Sequence, residues 1–325
     1  MSGHGDEPAP HADLLERVRA GGLLAPGRPV LVLLSGGRDS VCLLDVAVRI
    51  AGAPHVRALH CNYGLRAEAD GDEAHCAALC ERLGVALDVH RPGAPAGNLQ
   101  AWAREERYGA ARRLAPDGDI AAGHTASDQA ETVLYRLAAS PGRRALLGMA
   151  AREGRLIRPL LGVSRAETAA HCEARGLAWR EDASNAGAEF ARSRVRHELL
   201  PALRAIHPAA EANVLRTLEL LRDEAAVLDA AVDAALAGAG DPPARDALRA
   251  LPPPLRRLAL QRLADRAVAP GRAPAIGHRT IEVLALGEGG ALDVGGGLRA
   301  EIRGGALRFG PSRGPAAPHP RRPSS

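Results

Sequence analysis

Short apolar runs alternate with amphipathic stretches through roughly the first two hundred residues of the chain. The run at 29–34 (PVLVLL) is continuously apolar, which is typical of a strand buried on both faces of a parallel sheet. The same pattern predicts further strands at 56–60, 85–90, 119–123 and 156–160. Helical stretches separate these strands, at 41–50, 70–83, 99–114 and 127–138. This order predicts an α/β fold, a doubly wound parallel sheet with helices on both faces.

A different pattern begins near residue 206. Apolar residues at helical spacing form one stripe, which consists of Val214, Leu218, Leu221, Ala225, Leu228 and Val232. A second helix is expected near Pro254, and alternation after residue 291 predicts strands joined by glycine-rich turns. We therefore predict an α/β domain at 1–205, a helical domain at 206–310 that ends in a small β hairpin, and a disordered tail at 311–325.

The charge of the chain changes this picture only locally. All 42 basic residues are arginines, and the richness in Ala, Gly, Pro and Arg indicates a GC-rich genome rather than a particular partner. Residues 143–204 carry 12 arginines and 7 acidic residues, an excess that is typical of a nucleic-acid contact, although a solvated basic face has the same composition. The five cysteines and the lack of an apolar run of about 20 residues predict a reduced, cytoplasmic protein without a membrane span.

The strongest chemical signal is the segment Ser35-Gly-Gly-Arg-Asp-Ser40, which lies between a predicted strand and a predicted helix. Two glycines let the backbone approach a ligand, and the start of the helix presents unpaired N–H groups, so the segment predicts a phosphate site. A carboxylate at Asp39 would repel phosphate unless a cation bridged the two, which predicts Mg²⁺. The predicted ATP-binding residues are Ser35, Gly36, Gly37, Arg38, Asp39 and Ser40.

The segment is not a Walker A loop, because it has no GK[ST]. It resembles the pyrophosphate loop (PP-loop) of the N-type ATP pyrophosphatases, which have a HUP-like fold and adenylate a carbonyl oxygen with release of diphosphate. The loop alone indicates the nucleotide chemistry but not the substrate.

Six later motifs resemble those of the tRNA(Ile)-lysidine synthetases, in the same order, over roughly residues 30 to 235. They are HCNYGLR at 60–66, NLQAWAREERY at 98–108, GHTASDQAET at 123–132, RPLL at 158–161, EDASN at 181–185 and RSRVRHELLP at 192–201. Two positions depart from the family pattern. Asn62 stands where the family usually has Asp, and Ser127 replaces the first Asp of a DD pair.

The resemblance implies an ATP- and Mg²⁺-dependent ligase that joins L-lysine to C2 of the wobble cytidine of tRNA(Ile) with a CAU anticodon. It implies catalytic roles for Asp39, His124, Asp128 and Arg104, with Asp39 as the metal ligand. Arginines expected to contact tRNA are Arg107, Arg143, Arg144, Arg192, Arg194 and Arg196. The family includes dimers, so a homodimer is expected to be possible. Two alternatives stay open, a PP-loop enzyme that thiolates tRNA and a nucleotide- or RNA-binding protein without chemistry.

Overall fold

A computed structural model describes residues 10–95, 97–139, 143–180, 191–268 and 274–312. The chain divides into two compact units, Met1–Glu219 and Leu220–Ser325. The predicted boundary at 205/206 was drawn on sequence patterns alone and stays a prediction.

The first unit alternates strands and helices. Its strands are β1 (Val30–Leu33), β2 (Val56–Cys61), β3 (Ala86–His90), β4 (Asp119–Ala121), β5 (Arg152–Glu153) and β6 (Leu156–Ile157). Its helices are α1 (Pro10–Ala20), α2 (Arg38–Ala51), α3 (Ala69–Leu83), α4 (Leu99–Leu114), α5 (Ala126–Ala139), α6 (Arg143–Leu146), α7 (Arg165–Ala174), α8 (Ala191–Arg194) and α9 (Leu200–Ile206). A 3₁₀ turn lies at Ala53–His55, and a π turn at Val195–Leu199 joins α8 to α9.

The sheet has the strand order β3-β2-β1-β4-β6-β5. Strand β1 is parallel to both β2 and β4, which confirms the doubly wound α/β fold. Along the chain, β2 and β3 are added on one side of β1, and β4 and β6 are then added on its other side. The strand order therefore reverses between β1 and β4, which is the topological switch point. Ligands of such sheets bind beyond the carboxyl ends of the strands at that point.

Strand β1 is apolar throughout because both of its faces are covered. Val30 and Val32 pack into a cluster with α1, α2, α3 and α7, whereas Leu31 and Leu33 pack on the opposite side against α4. This burial explains why the strand could be located from its sequence alone.

The far edge of the sheet differs from the prediction. Strand β5 pairs antiparallel with β6, so the sheet is not wholly parallel. The strand predicted at 156–160 also ends at Ile157. Arg158 turns its guanidinium onto the carbonyl of Ala150, and Pro159 has no N–H for a ladder.

Helix α7 was not predicted from the apolar pattern. Its N-terminus carries a capping box, in which Ser164 and Glu167 each bind the backbone N–H of the other. The S-x-x-E spacing was therefore the local signal for this helix.

Helix α10 (Ala210–Ala239) begins at the end of the first unit and continues into the second. The second unit also contains α11 (Arg245–Ala250), α12 (Pro253–Arg266), a 3₁₀ turn at Gly277–Arg279, α13 (Thr280–Ala285), β7 (Ala291–Gly295), β8 (Leu298–Arg303) and β9 (Ala306–Pro311). The predicted hairpin is a three-stranded antiparallel sheet, with Leu298, Ala300 and Ile302 buried on one face.

The predicted tail at 311–325 begins inside β9, because Pro311 belongs to that strand and Ser312 donates its N–H to Gly297. The rest of the tail, 313–325, lies outside the described residues. Across the part of the chain that the structure describes, no helix is both long and apolar enough to span a membrane.

Candidate active site

The loop between β1 and α2 is held by its own two serines. Ser40 Oγ donates to the carbonyl of Gly37 (2.8 Å) and accepts from the N–H of Ser35 (3.1 Å). The Ser35 and Ser40 hydroxyls lie 3.0 Å apart. Gly36 has a φ of +84°, and a Cβ there would lie 3.3 Å from Cys76 Sγ. The loop therefore requires glycine at this position and hydroxyls at its two ends.

The start of α2 faces this loop as an anion site. Gly37 is the N-cap and makes no side-chain cap, so the first N–H groups of a 14-residue helix are left for a ligand. The six predicted ATP-binding residues all lie in this loop or in the first turn of α2, at the carboxyl end of β1.

Gly123 brings the end of β4 against this helix start. A Cβ on Gly123 would lie 3.1 Å from the carbonyl carbon and oxygen of Asp39 and 3.2 Å from the N–H nitrogen of Ser40. These atoms are backbone and cannot move aside alone. A glycine at 123 therefore lets the switch-point crevice close around Asp39.

Asp39 lies at the centre of the polar side chains at the crevice. Its Oδ1 accepts from Thr168 Oγ1 (2.6 Å) and from Arg38 Nε (3.2 Å). Its Oδ2 lies 3.7 Å from Arg165 Nε, which is too long for a hydrogen bond. One oxygen is thus fixed, and the other keeps capacity to accept.

That free capacity makes Asp39 a suitable single ligand for Mg²⁺, which is usually bound by one or two carboxylates together with substrate phosphates. Among the residues the structure describes, no group of three or more His, Cys, Asp or Glu side chains could hold a metal.

Two buried carboxylates on α5 face two arginines. Arg165 donates to Asp128 Oδ1 (2.9 Å) and to Glu131 Oε1 (3.1 Å). Arg196 donates to Glu131 through Nε (2.7 Å) and Nη2 (3.1 Å) and lies 3.4 Å from Asp128. Glu131 is almost fully buried, so these pairs are shielded from solvent.

The carboxylate of Asp128 is saturated with donors. Its Oδ2 accepts from the N–H (2.8 Å) and the hydroxyl (2.9 Å) of Thr125, while Arg165 and Arg196 occupy Oδ1. Burial raises the pKa of Asp128, but Arg165, the two Thr125 bonds and the nearby His124 outweigh it, so the pKa lies below its usual value. Asp128 is ionised at neutral pH and positions Arg165, and it is less suited to hold a metal than Asp39.

His124 and Ser127 flank this cluster. His124 follows β4, and its backbone N–H donates to the carbonyl of Ala122. Its side chain is one of the groups that lower the pKa of Asp128. Ser127 hydrogen-bonds Glu211. Burial raises the pKa of Glu211, but Arg204, Ser127 and Arg165 together outweigh it, so the pKa lies below its usual value. The departure at Ser127 thus supplies a hydrogen bond to the start of α10 rather than a metal ligand.

The predicted arginines of α4 lie beside aromatic side chains. The guanidinium carbons of Arg104 and Arg107 lie 4.9 and 5.2 Å from the centre of the Tyr108 ring. Burial raises the pKa of Cys61, the last residue of β2, and of Tyr63, and the nearby charge of Arg107 partly opposes this effect. Arg107 thus connects α4 to the end of β2, whereas within the described residues no contact joins Arg104 to Asp39.

The other predicted tRNA contacts differ in exposure. Arg194 is 65% exposed and pairs with Glu198 one turn later, whereas Arg196 is 27% exposed and faces the α5 carboxylates. Arg143 is half-buried at the start of α6. The side chains of Arg144 and Arg192, and the whole EDASN motif at 181–185, lie outside the described residues.

The sequence analysis missed four residues that complete this site, namely Gly123, Glu131, Arg165 and Thr168. Gly123 and Glu131 lie inside the GHTASDQAET motif, where His124 and Asp128 were the predicted catalytic residues and Ser127 was the departure from the family pattern. Arg165 and Thr168 occupy the first turn of α7, and only the capping box pointed to that turn.

A comparison with family models matches residues 13–203 to a PP-loop domain. Among curated relatives, a tRNA(Ile)-lysidine synthase from Salinispora arenicola is 40% identical over 305 residues, which cover 86% of this chain and 90% of the relative. One from Symbiobacterium thermophilum is 38% identical and covers 94% of this chain and 71% of its own length.

The chain spans about half the length of three Pseudomonas relatives with the same name, which are 39–42% identical, with 58%, 47% and 48% of the relatives covered. Among solved structures, the U34-tRNA thiolase NcsA from Methanococcus maripaludis has a TM-score of 0.53 at 18% identity, over 65% of this chain and 78% of that one. That likeness concerns the fold alone. The PP-loop match over more than half of the chain and the near full-length Salinispora relative together show that the chain belongs to the PP-loop family and, within it, to the tRNA(Ile)-lysidine synthases.

Proposed function

We propose that this protein ligates L-lysine to C2 of the wobble cytidine, position 34, in tRNA(Ile) with a CAU anticodon. ATP is converted to AMP and diphosphate, and the modified tRNA reads AUA as isoleucine. The observation that carries the proposal is the loop at the switch point, whose two serine hydroxyls meet and which places Asp39 beside Thr168 and Arg165 of α7. Arg165 in turn binds the carboxylates of α5.

In the first step, the C2 oxygen of the cytidine attacks the α-phosphorus of ATP, and diphosphate leaves. The N–H groups of the loop and of the first turn of α2 would bind the phosphates. Asp39 would hold Mg²⁺ against them, where the ion supplies charge neutralisation. His124, at the end of β4, would face the charge that develops on the leaving group.

In the second step, the ε-amine of lysine attacks C2 of the adenylated cytidine, and AMP leaves. The lysine ammonium requires a carboxylate partner before it loses its proton. We propose Asp128 and Glu131, on one face of α5, for that role, in which the ammonium would displace arginine nitrogens that these buried carboxylates bind in this structure. Arg165 and Arg196 hold these carboxylates in place until the substrate arrives.

The proposed partners are tRNA(Ile), L-lysine and ATP, in the cytoplasm, with a homodimer as the proposed assembly. Arg104, Arg107, Arg143, Arg144, Arg192, Arg194 and Arg196 are the proposed contacts for RNA or diphosphate. Because contacts between arginines and RNA phosphates release counterions from the RNA, tRNA binding should weaken as the salt concentration is raised.

The test incubates the protein with ATP, Mg²⁺, labelled lysine and one of two transcripts, tRNA(Ile) or tRNA(Met), both with a CAU anticodon. We expect label only in tRNA(Ile). The variant Asp39→Asn should abolish labelling, whereas Asp88→Asn, on β3 and paired with Arg57, should leave it intact. Absence of label in both transcripts, with folded protein that binds ATP, would reject the ligase and leave thiolation or simple binding.

A further inference from the structure

Asp72, in the first turn of α3, holds two arginines that come from distant parts of the chain. Its Oδ2 accepts from Arg66 Nη2 (2.9 Å) and its Oδ1 accepts from Arg180 Nε (2.6 Å). The carboxylate is 14% exposed, whereas the side chains of Arg66 and Arg180 are 36% and 44% exposed. One acidic group therefore fixes two cations that still reach solvent.

The cluster of Arg66, Asp72 and Arg180 borders the PP-loop. The N–H of Arg180 donates to the carbonyl of Gly36 (3.0 Å), and its own carbonyl lies 3.9 Å from where a Cβ on Gly37 would stand. The guanidinium of Arg180 lies over α3, with Nη2 3.5 Å from where a Cβ on Gly71 would stand. The backbone of Arg180 thus holds this residue at the rim of the phosphate loop, and Asp72 connects Arg66 to it.

Asp72 is shared by two guanidinium groups. The adjacent His75 has a pKa lowered by burial and by Arg180, so it is neutral at neutral pH and adds no charge. Arg180 uses Nε for Asp72, and within the described residues its two terminal nitrogens make no hydrogen bond. A planar guanidinium with such a fork suits two oxygens of one phosphate.

We propose that Arg66 and Arg180, aligned by Asp72, form a diphosphate subsite beside the PP-loop. They bind the β- and γ-phosphates of ATP and retain the diphosphate after its bond to the α-phosphorus breaks. The assignment rests on the proposed ATP chemistry, but it concerns residues that neither the loop motif nor the predicted arginine set contains.

The test measures affinities for inorganic diphosphate and for AMP, each with Mg²⁺, by isothermal titration calorimetry. Arg180→Gln and Arg66→Gln should each weaken diphosphate binding roughly tenfold, the size expected for one charge-assisted contact. AMP lacks the β- and γ-phosphates, so its affinity should change by less than about twofold. The matched control is Arg57→Gln, since Arg57 is 49% exposed and pairs with Asp88 near the amino end of β2. It should change neither affinity.

Two results would overturn the subsite. Unchanged diphosphate affinity in both variants would reject it, and so would weaker tRNA binding with diphosphate binding intact, because the cluster would then serve the RNA backbone. The titration contains neither tRNA nor lysine. The two proposals can therefore fail separately. If the wild type does not label tRNA(Ile) but the two variants bind diphosphate more weakly than the wild type, the ligase is rejected and the subsite is retained.

Discussion

Thr168 donates a hydrogen bond of 2.6 Å from its hydroxyl to Oδ1 of Asp39, although the two residues lie 129 positions apart in the chain. The same hydroxyl oxygen accepts from Arg38 Nε at 3.1 Å. Thr168 is fully buried in the first turn of α7. One side chain of α7 thus orients the acidic residue of the PP-loop and its neighbouring cation.

Replacing Thr168 by valine should therefore disturb Asp39 without changing the shape of the core. We expect kcat/KM for ATP to fall roughly tenfold, because a hydrogen bond to a charged group is lost. The Mg²⁺ concentration for half-maximal activity should also rise, since Asp39 would no longer be held toward the phosphates. Both are measured as tRNA-dependent diphosphate release.

The matched variant is Thr168→Ser, which keeps the hydroxyl and should restore most of the Mg²⁺ response. A purely structural role would lower the melting temperature and leave the Mg²⁺ midpoint where it is in the wild type. That result, with valine and serine behaving alike, would show that Thr168 does not position Asp39.

Arg165→Met should destabilise the first unit. The substitution removes one of the guanidinium groups that pair with the buried carboxylates of Asp128 and Glu131. Breaking such a cluster costs about 2 to 4 kcal/mol, measured by urea denaturation at neutral pH. Adding Glu131→Gln to Arg165→Met should recover part of this loss, because a buried carboxylate would then be removed together with the guanidinium group that paired with it. An unchanged free energy of unfolding in the single variant would contradict the network.

The same variant should change the response to acid. The pKa of Asp128 is lowered in the folded protein, so its contribution to stability is present above the unfolded value of about 3.9 and is lost as pH falls through the lower folded value. Arg165 makes the largest contribution that lowers this pKa, so the pKa of Asp128 should rise without it. Arg165→Met should therefore unfold at a higher pH than the wild type, in an acid titration followed by circular dichroism.

Gly123→Ala should push the end of β4 away from α2. Its Cβ would meet backbone atoms of Asp39 and Ser40 at 3.1–3.2 Å, which no side-chain movement relieves. We expect a loss of about 1 to 3 kcal/mol in stability and weaker ATP binding. The control is Gly162→Ala, where a Cβ meets nothing within 4 Å. Its stability and its affinity for ATP should both equal those of the wild type. Equal behaviour of the two variants would show that the crevice tolerates a wider gap.

The loop was predictable from sequence because its geometry is local. A buried strand, a turn with Gly36 at positive φ and a helix start lie within a dozen consecutive residues, so spacing alone indicates a phosphate site. The α/β order was predictable for the same reason, since the spacing of apolar residues within each segment distinguishes a helix from a strand.

The charge network was not predictable in this way. The sequence identifies Arg196 as a cation but not its partners, and Glu131 lies 65 positions earlier on a helix face whose burial depends on the whole fold. Asn62 shows the same limit. In the sequence, Asn62 is only a position at which the negative charge of the usual Asp is absent. In the structure, its side-chain amide donates to Asp70 (3.0 Å) and Glu73 (2.9 Å), which an aspartate could not do.

Asn62→Asp, although it restores the usual family residue, should destabilise this chain. It would replace two donated hydrogen bonds by a third carboxylate beside Asp70 and Glu73. The expected loss is about 1 to 3 kcal/mol in urea denaturation. Adding Glu73→Gln should return part of it, because the amide of that glutamine can donate to the new aspartate. A neutral or stabilising Asn62→Asp would show that the acidic neighbours rearrange freely.

Arg194 and Arg196 provide a last test, since they are two positions apart and differ in surroundings. Arg194 is 65% exposed, so Arg194→Gln should weaken tRNA binding and reduce the slope of log Kd against log salt by about 0.7 to 0.9, the value of one phosphate contact. Arg196 faces Glu131, so Arg196→Gln should lower the free energy of unfolding by more than Arg194→Gln does. Filter binding at several salt concentrations and urea denaturation measure the two effects. If Arg196→Gln changes the salt slope and leaves stability intact, Arg196 contacts RNA rather than the α5 carboxylates.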